Sequence, residues 1–438
     1  MNKTQNAADS FVIGNNKALW LAVDSGNTEA VKMLLDTGSD VCTCKDAVLI
    51  TASKSGHDEI VKMLLDSGAN VHADDGSALR WAVDYGHTEV IKTLAAAGAD
   101  VHATEDLMLR WASRLGHTKI VKALLECGAN VHARDDEALL SAAEFGSSEI
   151  VKMLLDAGAN ACAKDSLALI EASYSGYTEI VKSLLNAGAD VHACDDTALL
   201  WASENGYTKI VKALLEAGAN VHAKNDIALR FAAENGYTEV VRVLLESGAD
   251  ARAAEGQALR MASSNGYDEV VKLLLGAGAD VHVGNELTLW WASRNGHAKI
   301  VEIFIDAGAD IHVHHDEALR VASEYGHAEV VDMLLDAGAD VRANDDAALR
   351  WSATKGHTEV VRLLLEAGSD VHALDDEALR QASGEGFFEV TKILLDAGAD
   401  ARVCNIGALS SGAYKGYREI ADLLKSREDH KGSPVRMS

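Results

Sequence analysis

The side chains best suited to bind a metal lie in two short segments of this chain. His312, His314 and His315 fall within the segment HVHHDE, and Cys42 and Cys44 form a lone CxC pair. Alternating residues of an extended segment point to opposite faces, and no second cluster lies within reach in the sequence. Zinc sites of this kind need a second pair of ligands. We therefore expect no metal site, and the other histidines recur every thirty residues, which indicates structural roles.

No arrangement of residues in the sequence is typical of an enzyme. The chain has no glycine-rich phosphate loop, no nucleophile elbow and no HExxH motif. Its repeats contain no insertion that could hold a catalytic site, so we expect neither enzymatic activity nor a cofactor. The six cysteines show no regular pairing, which argues against a disulfide framework and favours a reducing compartment.

Arginine recurs at one position of the repeats and has two interpretations. It could form a basic stripe for an anionic ligand, or a ladder in which each guanidinium binds the carbonyls and acidic residues of a nearby turn, such as Asp345 and Asp346. The many carboxylates nearby favour the ladder. The arginines are Arg80, Arg110, Arg230, Arg260, Arg320, Arg350 and Arg380.

Aromatic and apolar residues form the strongest candidate for a binding site. At about 100° per residue, their positions lie opposite the apolar stripe of a helix, and neighbouring helices pack about 10 Å apart. We predict one patch in repeats three to five and a looser cluster in repeats ten to twelve, since such patches mark binding sites. The alternative is that the tryptophans pack between neighbouring helices. The first patch is Trp81, Tyr85, Trp111, Leu115 and Phe145, and the second cluster is Trp290, Trp291, Tyr325 and Trp351.

A period of thirty residues determines where all these side chains lie. One glycine recurs fourteen times, from Gly26 to Gly416, without insertion or deletion. Such a period indicates stacked supersecondary units, each unable to bury its apolar face alone. We therefore predict a mainly α-helical solenoid of about fourteen helix-turn-helix repeats with short β-turn or hairpin connections.

Residues 195–224 show how one repeat is read. Asp195 or Asp196 can cap a first helix that ends at Gly206, and Thr208 can cap a second helix that ends at Gly218. The segment between the second helix and the next repeat is expected to be extended. Residues 1–14 are interpreted as an N-terminal arm, residues 15–426 as the solenoid and residues 427–438 as a disordered tail.

Charge and hydropathy narrow the classes of partner. The net charge of −27 argues against direct nucleic-acid binding and favours basic protein partners and a monomer, since copies repel one another. The N-terminus has no basic region followed by a long apolar run, and no apolar stretch approaches the length of a membrane span. We expect no secretion signal and no membrane association.

The repeat G-H-T-E-V-V-x-x-L-L-x-x-G-x-D-V-x-A at Gly356–Ala373 resembles the ankyrin repeat. Two features depart from that family. The usual T-P-L-H opening is A-L-R-W at Ala78–Trp81, and the period is 30 residues where the family has about 33. The three missing residues fall in the hairpin finger, so the fingers are expected to be tight turns that leave recognition to the first helices.

The resemblance implies a protein-binding scaffold or adaptor that recognises its partner on the concave face. Short A-L-R-W-A-S repeats look like the ankyrin arrays of giant DNA viruses, which implies a viral protein in the host cytoplasm. Two alternatives remain: an acidic mimic of nucleic acid that occupies basic proteins, and a substrate adaptor of a ubiquitin ligase. The twelve-residue tail is short for the F-box-like module that such adaptors carry.

Overall fold

Repeated pairs of helices make up the chain. The computed structural model describes residues 17–37, 45–284, 287–404 and 415–431, and this described part contains helices and turns but no strand. Consecutive pairs pack in order, as expected of a solenoid of about fourteen repeats. The chain divides into two compact bodies, residues 1–220 and 221–438, which are described separately.

The N-terminal body contains seven described pairs. Its first helices are residues 17–24, Lys45–Ser55, Ala73–Asp84, Ala103–Arg114, Glu137–Glu144, Ala163–Tyr174 and Ala193–Glu204. Its second helices are Thr28–Asp36, Asp58–Asp66, Thr88–Ala96, Thr118–Glu126, Ser148–Asp156, Thr178–Asn186 and Thr208–Glu216. The arm predicted at residues 1–14 lies outside the described residues.

The C-terminal body contains six described pairs, a short 3-10 helix and a final helix. The first helices are Ala223–Glu234, Ala253–Asn265, Leu287–Asn295, Val313–Tyr325, Ala343–Lys355 and Ala373–Glu385. The second helices are Thr238–Glu246, Asp268–Gly276, Ala298–Asp306, Ala328–Asp336, Thr358–Glu366 and Phe388–Asp396, followed by the 3-10 helix Ala401–Val403 and the final helix Lys415–Lys431. The final helix includes residues 427–431, which the sequence had assigned to a disordered tail, and residues 432–438 lie outside the described part.

The apolar stripe of each helix forms the core, as the 3.6-residue periodicity requires. Leu199 and Ala202 of one first helix are almost completely buried, and Ile210, Val211 and Leu214 of the following second helix are inaccessible. The repeating glycines end the helices, since Gly206 has φ 75° and Gly218 has φ 97°. The helix-ending roles predicted for these two glycines are therefore confirmed.

In several described repeats, the residue after the glycine that ends the first helix also contacts the preceding repeat. A Cβ atom at Gly176 would lie 2.7 Å from the Cζ atom of Tyr207, so the ring fits only against a glycine. Where histidine replaces tyrosine, its ring bonds backward as well: His87 Nε2 lies 2.9 Å from the carbonyl oxygen of Lys54. The structural role predicted for these histidines is thus explained by contacts between repeats.

A left-handed turn replaces the expected extended segment and helix cap. Cys194, Asp195 and Asp196 have φ values of 52°, 55° and 56°, and three consecutive left-handed residues recur in most described repeats. Such residues cost roughly 1–2 kcal/mol each outside glycine, so other contacts must stabilise the turn. The prediction of a tight turn in place of a long finger is borne out by this geometry. The extended conformation predicted for the segment before the turn is wrong at His192, which has φ −87° and ψ 1°.

A buried carboxylate stabilises that turn and joins it to the next repeat. Asp196 Oδ1 accepts a hydrogen bond from the Asn220 N–H at 2.7 Å, and His192 Nδ1 lies 3.2 Å from the same oxygen. The predicted helix cap at this position is therefore wrong, because the carboxylate binds the backbone 24 residues later. Aspartates with this contact are Asp106, Asp136, Asp196, Asp226, Asp316, Asp346 and Asp376.

The second helices begin one residue earlier than predicted. Thr208 is the first residue of its helix, Tyr207 is at the N-cap position, and no side-chain bond caps this helix. In the first described repeat, however, Asn27 does cap the helix, since its side chain accepts the Ala30 N–H at 3.0 Å. The hydroxyl cap predicted for Thr208 is therefore wrong.

Candidate binding surface

The outward face of the first helices carries the predicted aromatic residues. In the third repeat, Leu79 and Ala82 are buried, whereas Tyr85 is exposed and Trp81 is half-buried. This division follows from the angle of about 100° between successive helical residues. The face could therefore be predicted from the sequence, and it is accessible because the turns beside it are short.

Basic residues lie over three aromatic rings of the first patch. The rings of Trp81 and Tyr85 lie 5.7 Å apart, and Lys54 Nζ of the preceding repeat lies 4.9 Å from the Trp81 ring and 5.3 Å from the Tyr85 ring. Arg114 lies 5.2 Å from the ring of Phe145 in the same way. These distances are those of cation–π contacts. The aromatic residues therefore present both apolar area and positive charge.

Trp111, Leu115 and Phe145 are exposed side chains of the first patch, as is Tyr85. The exposed fractions of the first three are 45%, 47% and 46%, so almost half of each side chain faces solvent. Large exposed apolar side chains close to one another are candidates for contact with another protein. A single continuous patch of all five residues remains a prediction.

The second cluster is centred on Arg294. The rings of Trp290 and Trp291 meet edge to face at 4.7 Å, and the Arg294 guanidinium lies over both, at 5.7 and 5.4 Å. It also lies 4.8 Å from the Tyr325 ring, whose hydroxyl accepts a hydrogen bond from Arg294 Nη2 at 3.0 Å. The structure thus brings together three of the four predicted residues, and Trp351 is exposed on the following repeat.

The tryptophan position of the first helices lies at the surface rather than in the core. Trp111 and Trp351 are exposed, and Trp81, Trp201 and Trp291 are half-buried. Trp201 packs edge to face against Tyr174 of the preceding repeat at 5.3 Å. The same position therefore serves packing between repeats in one place and is open to solvent in another.

Four of the seven arginines make the predicted structural contact, because Arg110, Arg230, Arg350 and Arg380 donate to a carbonyl of the left-handed turn. Arg110 donates from Nε to the Glu105 carbonyl at 3.2 Å and from Nη2 to the Thr104 carbonyl at 3.2 Å, which satisfies two acceptors of the left-handed turn. Its acidic partner is Glu137 of the next repeat, at 2.9 Å, and not the Asp-Asp turn that the sequence suggested. Arg350 makes the same three kinds of contact.

Arg320 differs from Arg110 and Arg350. Its guanidinium binds Glu317 at 2.6 Å and Glu324 at 2.9 Å on its own helix. The Arg320 guanidinium holds the pKa of Glu317 below its usual range, and a hydrogen bond from the Trp290 side chain acts in the same direction. Glu317 is therefore held as a carboxylate beside two indole rings.

The candidate metal ligands do not assemble into a site in the described part of the chain. No group of three or more histidine, cysteine, aspartate or glutamate side chains there could hold a metal ion. His314 and His315 lie in a left-handed turn, with φ values of 53° and 60°, and Cys42 and Cys44 fall outside the described residues.

No helix in the described ranges is long and apolar enough to cross a membrane.

Sequence reasoning missed two features of this face. The first is the basic residue beside the aromatic rings. It could have been found from the sequence, because lysine or arginine occupies the same position of the repeat at residues 54, 114 and 294. The second is that Trp290 occupies the arginine column, 180 residues after Arg110. Both signals become visible when the repeats are aligned column by column.

Comparison with known proteins identifies one family. The family model described as ankyrin repeats (3 copies) matches overlapping segments that run from residue 4 to residue 375. Among solved structures, the crystal structure of the human ASB11 ankyrin repeat domain is 27% identical, with 45% of this chain and 96% of that chain covered and a TM-score of 0.41. No curated protein matches this chain.

Proposed function

Since the chain belongs to the ankyrin-repeat family, we propose that it is an adaptor that binds a partner protein on the exposed face of its first helices. Ankyrin repeats are protein–protein interaction scaffolds. The observation that supports this particular face is the accessibility of Trp111, Leu115 and Phe145 on neighbouring repeats.

The architecture favours binding without rearrangement. Seven of the described first helices are joined to the next repeat by a buried aspartate, and arginines such as Arg110 satisfy carbonyls of the turns. A frame fixed in this way loses little conformational entropy when it binds, so the contact area contributes more fully to affinity. The exposed aromatic and aliphatic side chains provide the apolar centre that binding hot spots need.

We further propose that the protein is a non-enzymatic monomer in a reducing compartment such as a host cytoplasm. Among the described residues, Cys127 and Cys162 are not joined in a disulfide, which suits such a compartment. Burial raises the pKa of the Cys127 thiol, which lowers its reactivity. The viral origin rests on the resemblance of the short repeats alone.

A second candidate is an acidic mimic that occupies nucleic-acid-binding proteins. The net charge of −27 favours it, because a strongly negative surface attracts basic partners. Lys54 and Arg114 beside the aromatic rings speak against it for the first patch, since they place positive charge where such a mimic needs negative charge. The ubiquitin-ligase adaptor has no comparable observation in its favour.

Capture of partners by the immobilised full chain tests the proposal. We expect one or more proteins retained from cell lysate by the wild type to be lost by the double variant Trp111→Ala, Phe145→Ala. Met33→Ala is the matched control, because Met33 is an exposed apolar residue on a second helix. Retention of the same partners by the double variant, or equal loss with Met33→Ala, would refute the proposed face.

Salt separates the two candidate functions. An apolar contact should survive about 0.5 M salt, where charges more than about 4 Å apart in solvent are largely screened. Binding that disappears at that salt concentration and is unaffected by the double variant would favour the acidic mimic instead.

A further inference from the structure

An arginine–glutamate pair joins neighbouring repeats at one register of the fold. Arg110 Nη1 donates to Glu137 Oε2 at 2.9 Å, and Arg350 Nη1 donates to Glu377 Oε2 at 2.6 Å. In both pairs the glutamate follows the arginine by 27 residues. The guanidinium therefore fills the space between the left-handed turn of one repeat and the first helix of the next.

Glu317 is the third glutamate at this register, but it lacks the arginine of the preceding repeat. Glutamate occurs in this column only at Glu137, Glu317 and Glu377. Trp290 stands 27 residues before Glu317, where Arg110 and Arg350 stand in the other two pairs. The repeat thus keeps the acceptor for a guanidinium while an indole takes the place of the donor.

A cavity of about 530 Å³ opens at this position. Its lining includes Trp290, Glu317 and His314, which are the register counterparts of Arg110, Glu137 and Arg134. Leu287 and Ile311 are among the apolar residues of its lining. The cavity therefore lies where a guanidinium lies in the complete pairs, and it extends into an apolar space beside it.

A second cavity supports this interpretation of the register. It has a volume of about 450 Å³ and is lined by Arg80, Asp100 and Thr104, among others. The residue that follows Arg80 by 27 positions is Leu107, so this register has the arginine but not the glutamate. Arg80 therefore lines a cavity at a register where leucine stands in place of the glutamate.

The chemistry of the larger cavity suits an arginine side chain. Guanidinium groups stack on indole faces and bind carboxylates, and the perpendicular rings of Trp290 and Trp291 offer more than one face. Glu317 accepts hydrogen bonds from Arg320 Nη2 at 2.6 Å, from Arg320 Nε at 3.3 Å and from the Trp290 side chain. Since each carboxylate oxygen can accept two hydrogen bonds, one position remains for an N–H of a second guanidinium. Asp310 adds a second carboxylate to the lining.

We propose that the cavity beside Trp290 takes an arginine side chain of a partner protein, and that this guanidinium occupies the place of the missing inter-repeat arginine. An apolar residue next to the arginine fills the space beside Leu287 and Ile311. This inference deepens the proposed function, because it assigns a chemical class of partner segment to the second cluster. The site lies entirely within the C-terminal body.

Titration of the full chain with capped tripeptides tests the proposal. The probes are Leu-Arg-Leu and its counterparts with citrulline, which has the same shape without charge, and with lysine. We expect calorimetry to detect the arginine peptide, and to give at least about tenfold weaker binding for the other two, as expected for loss of a charged, directional hydrogen bond. Equal affinity for the citrulline or lysine peptide would overturn the proposal.

Three variants of the full chain locate the site. Glu317→Gln should weaken the arginine peptide about tenfold, whereas the matched control Glu377→Gln should not, because Arg350 already fills that position. Trp290→Arg should abolish binding and leave the unfolding temperature at or above that of the wild type, since it restores the internal pair. Binding that persists in Trp290→Arg, or equal losses in the two glutamine variants, contradicts the assignment.

The peptide titration and the partner capture test the arginine site and the proposed function separately. Failure of the wild type to bind the arginine peptide at millimolar concentration overturns the arginine site alone. Loss or retention of captured partners in the Trp111 and Phe145 double variant concerns the N-terminal body, and it is measured without any peptide.

Discussion

Replacement of Asp136 by alanine should break the contact between two neighbouring repeats. The Asp136 side chain is almost fully buried, and Oδ1 accepts the Asn160 N–H at 2.9 Å and lies 3.2 Å from His132 Nδ1. The chain offers a matched control in Asp135, which has a similar φ of 55° but an exposed side chain. Since both positions are left-handed, the strain of alanine there cancels when the two variants are compared.

The expected difference follows from the bonds that are lost. A hydrogen bond to a charged group contributes about 1.5–3 kcal/mol to stability. The contact with His132 adds little, because that side chain is more than half exposed and the pair is screened by solvent. Asp136→Ala should therefore lower the free energy of unfolding by about 1.5–3 kcal/mol more than Asp135→Ala does.

Native-state hydrogen exchange measures this effect where it arises. Long repeat proteins need not unfold in two states, so a single global transition can average over the repeats. We expect the Asn160 amide to exchange roughly 10- to 150-fold faster in Asp136→Ala than in Asp135→Ala. Equal exchange rates at Asn160, together with equal urea midpoints, would refute the role assigned to the carboxylate.

Three further predictions follow from the same contacts. Leu115→Ser with Phe145→Ser should change the free energy of unfolding by less than about 1 kcal/mol, because nearly half of each side chain is exposed; a fall of several degrees in the unfolding temperature would instead place them in the core. Burial raises the pKa of Asp346. The ionised carboxylate therefore lowers the free energy of unfolding in full when the pH is above the raised pKa, and this cost is absent when the pH is below the ordinary pKa of 3.8. Asp346→Asn keeps the acceptor for the Asp370 N–H, and urea unfolding at pH 7 should show it at least as stable as the wild type, whereas Asp346→Ala should cost about 1–3 kcal/mol. Stepwise removal of repeats from the C-terminal end should lower stability gradually in thermal unfolding, and loss of all structure on removal of one repeat would contradict nearest-neighbour coupling.

The regular parts of the fold could be predicted from the sequence because they depend on local periodicity. Gly206 and Gly218 end their helices, and Leu199 and Ala202 are buried, as the pattern of one repeat indicates. The left-handed turn could not be predicted in this way. Its residues are ordinary ones such as Cys194, and their conformation is stabilised by contacts with residues 24 positions later and by arginines of the following helix.

The candidate surface was predictable in its direction but not in its contacts. The angle between helical residues places Tyr85 outward, and the structure agrees. The cations over the rings come from other positions: Lys54 precedes Trp81 by 27 residues, and Arg114 precedes Phe145 by 31. Contacts at such separations follow from how the repeats stack, which one repeat read by itself does not contain.

The aspartate contact also determines where the array is weakest. In most described repeats, a carboxylate or hydroxyl oxygen accepts a hydrogen bond from a backbone N–H of the next repeat. Gly76 and Gly256 occupy the same position in their repeats and have no side chain that could accept this bond. Under a stretching force, we expect the N-terminal body to part first between Gly76 and Asp100, and the C-terminal body between Gly256 and Asp280. Among the described repeats, we therefore expect unequal resistance to force, with the lowest resistance at the contacts that follow Gly76 and Gly256.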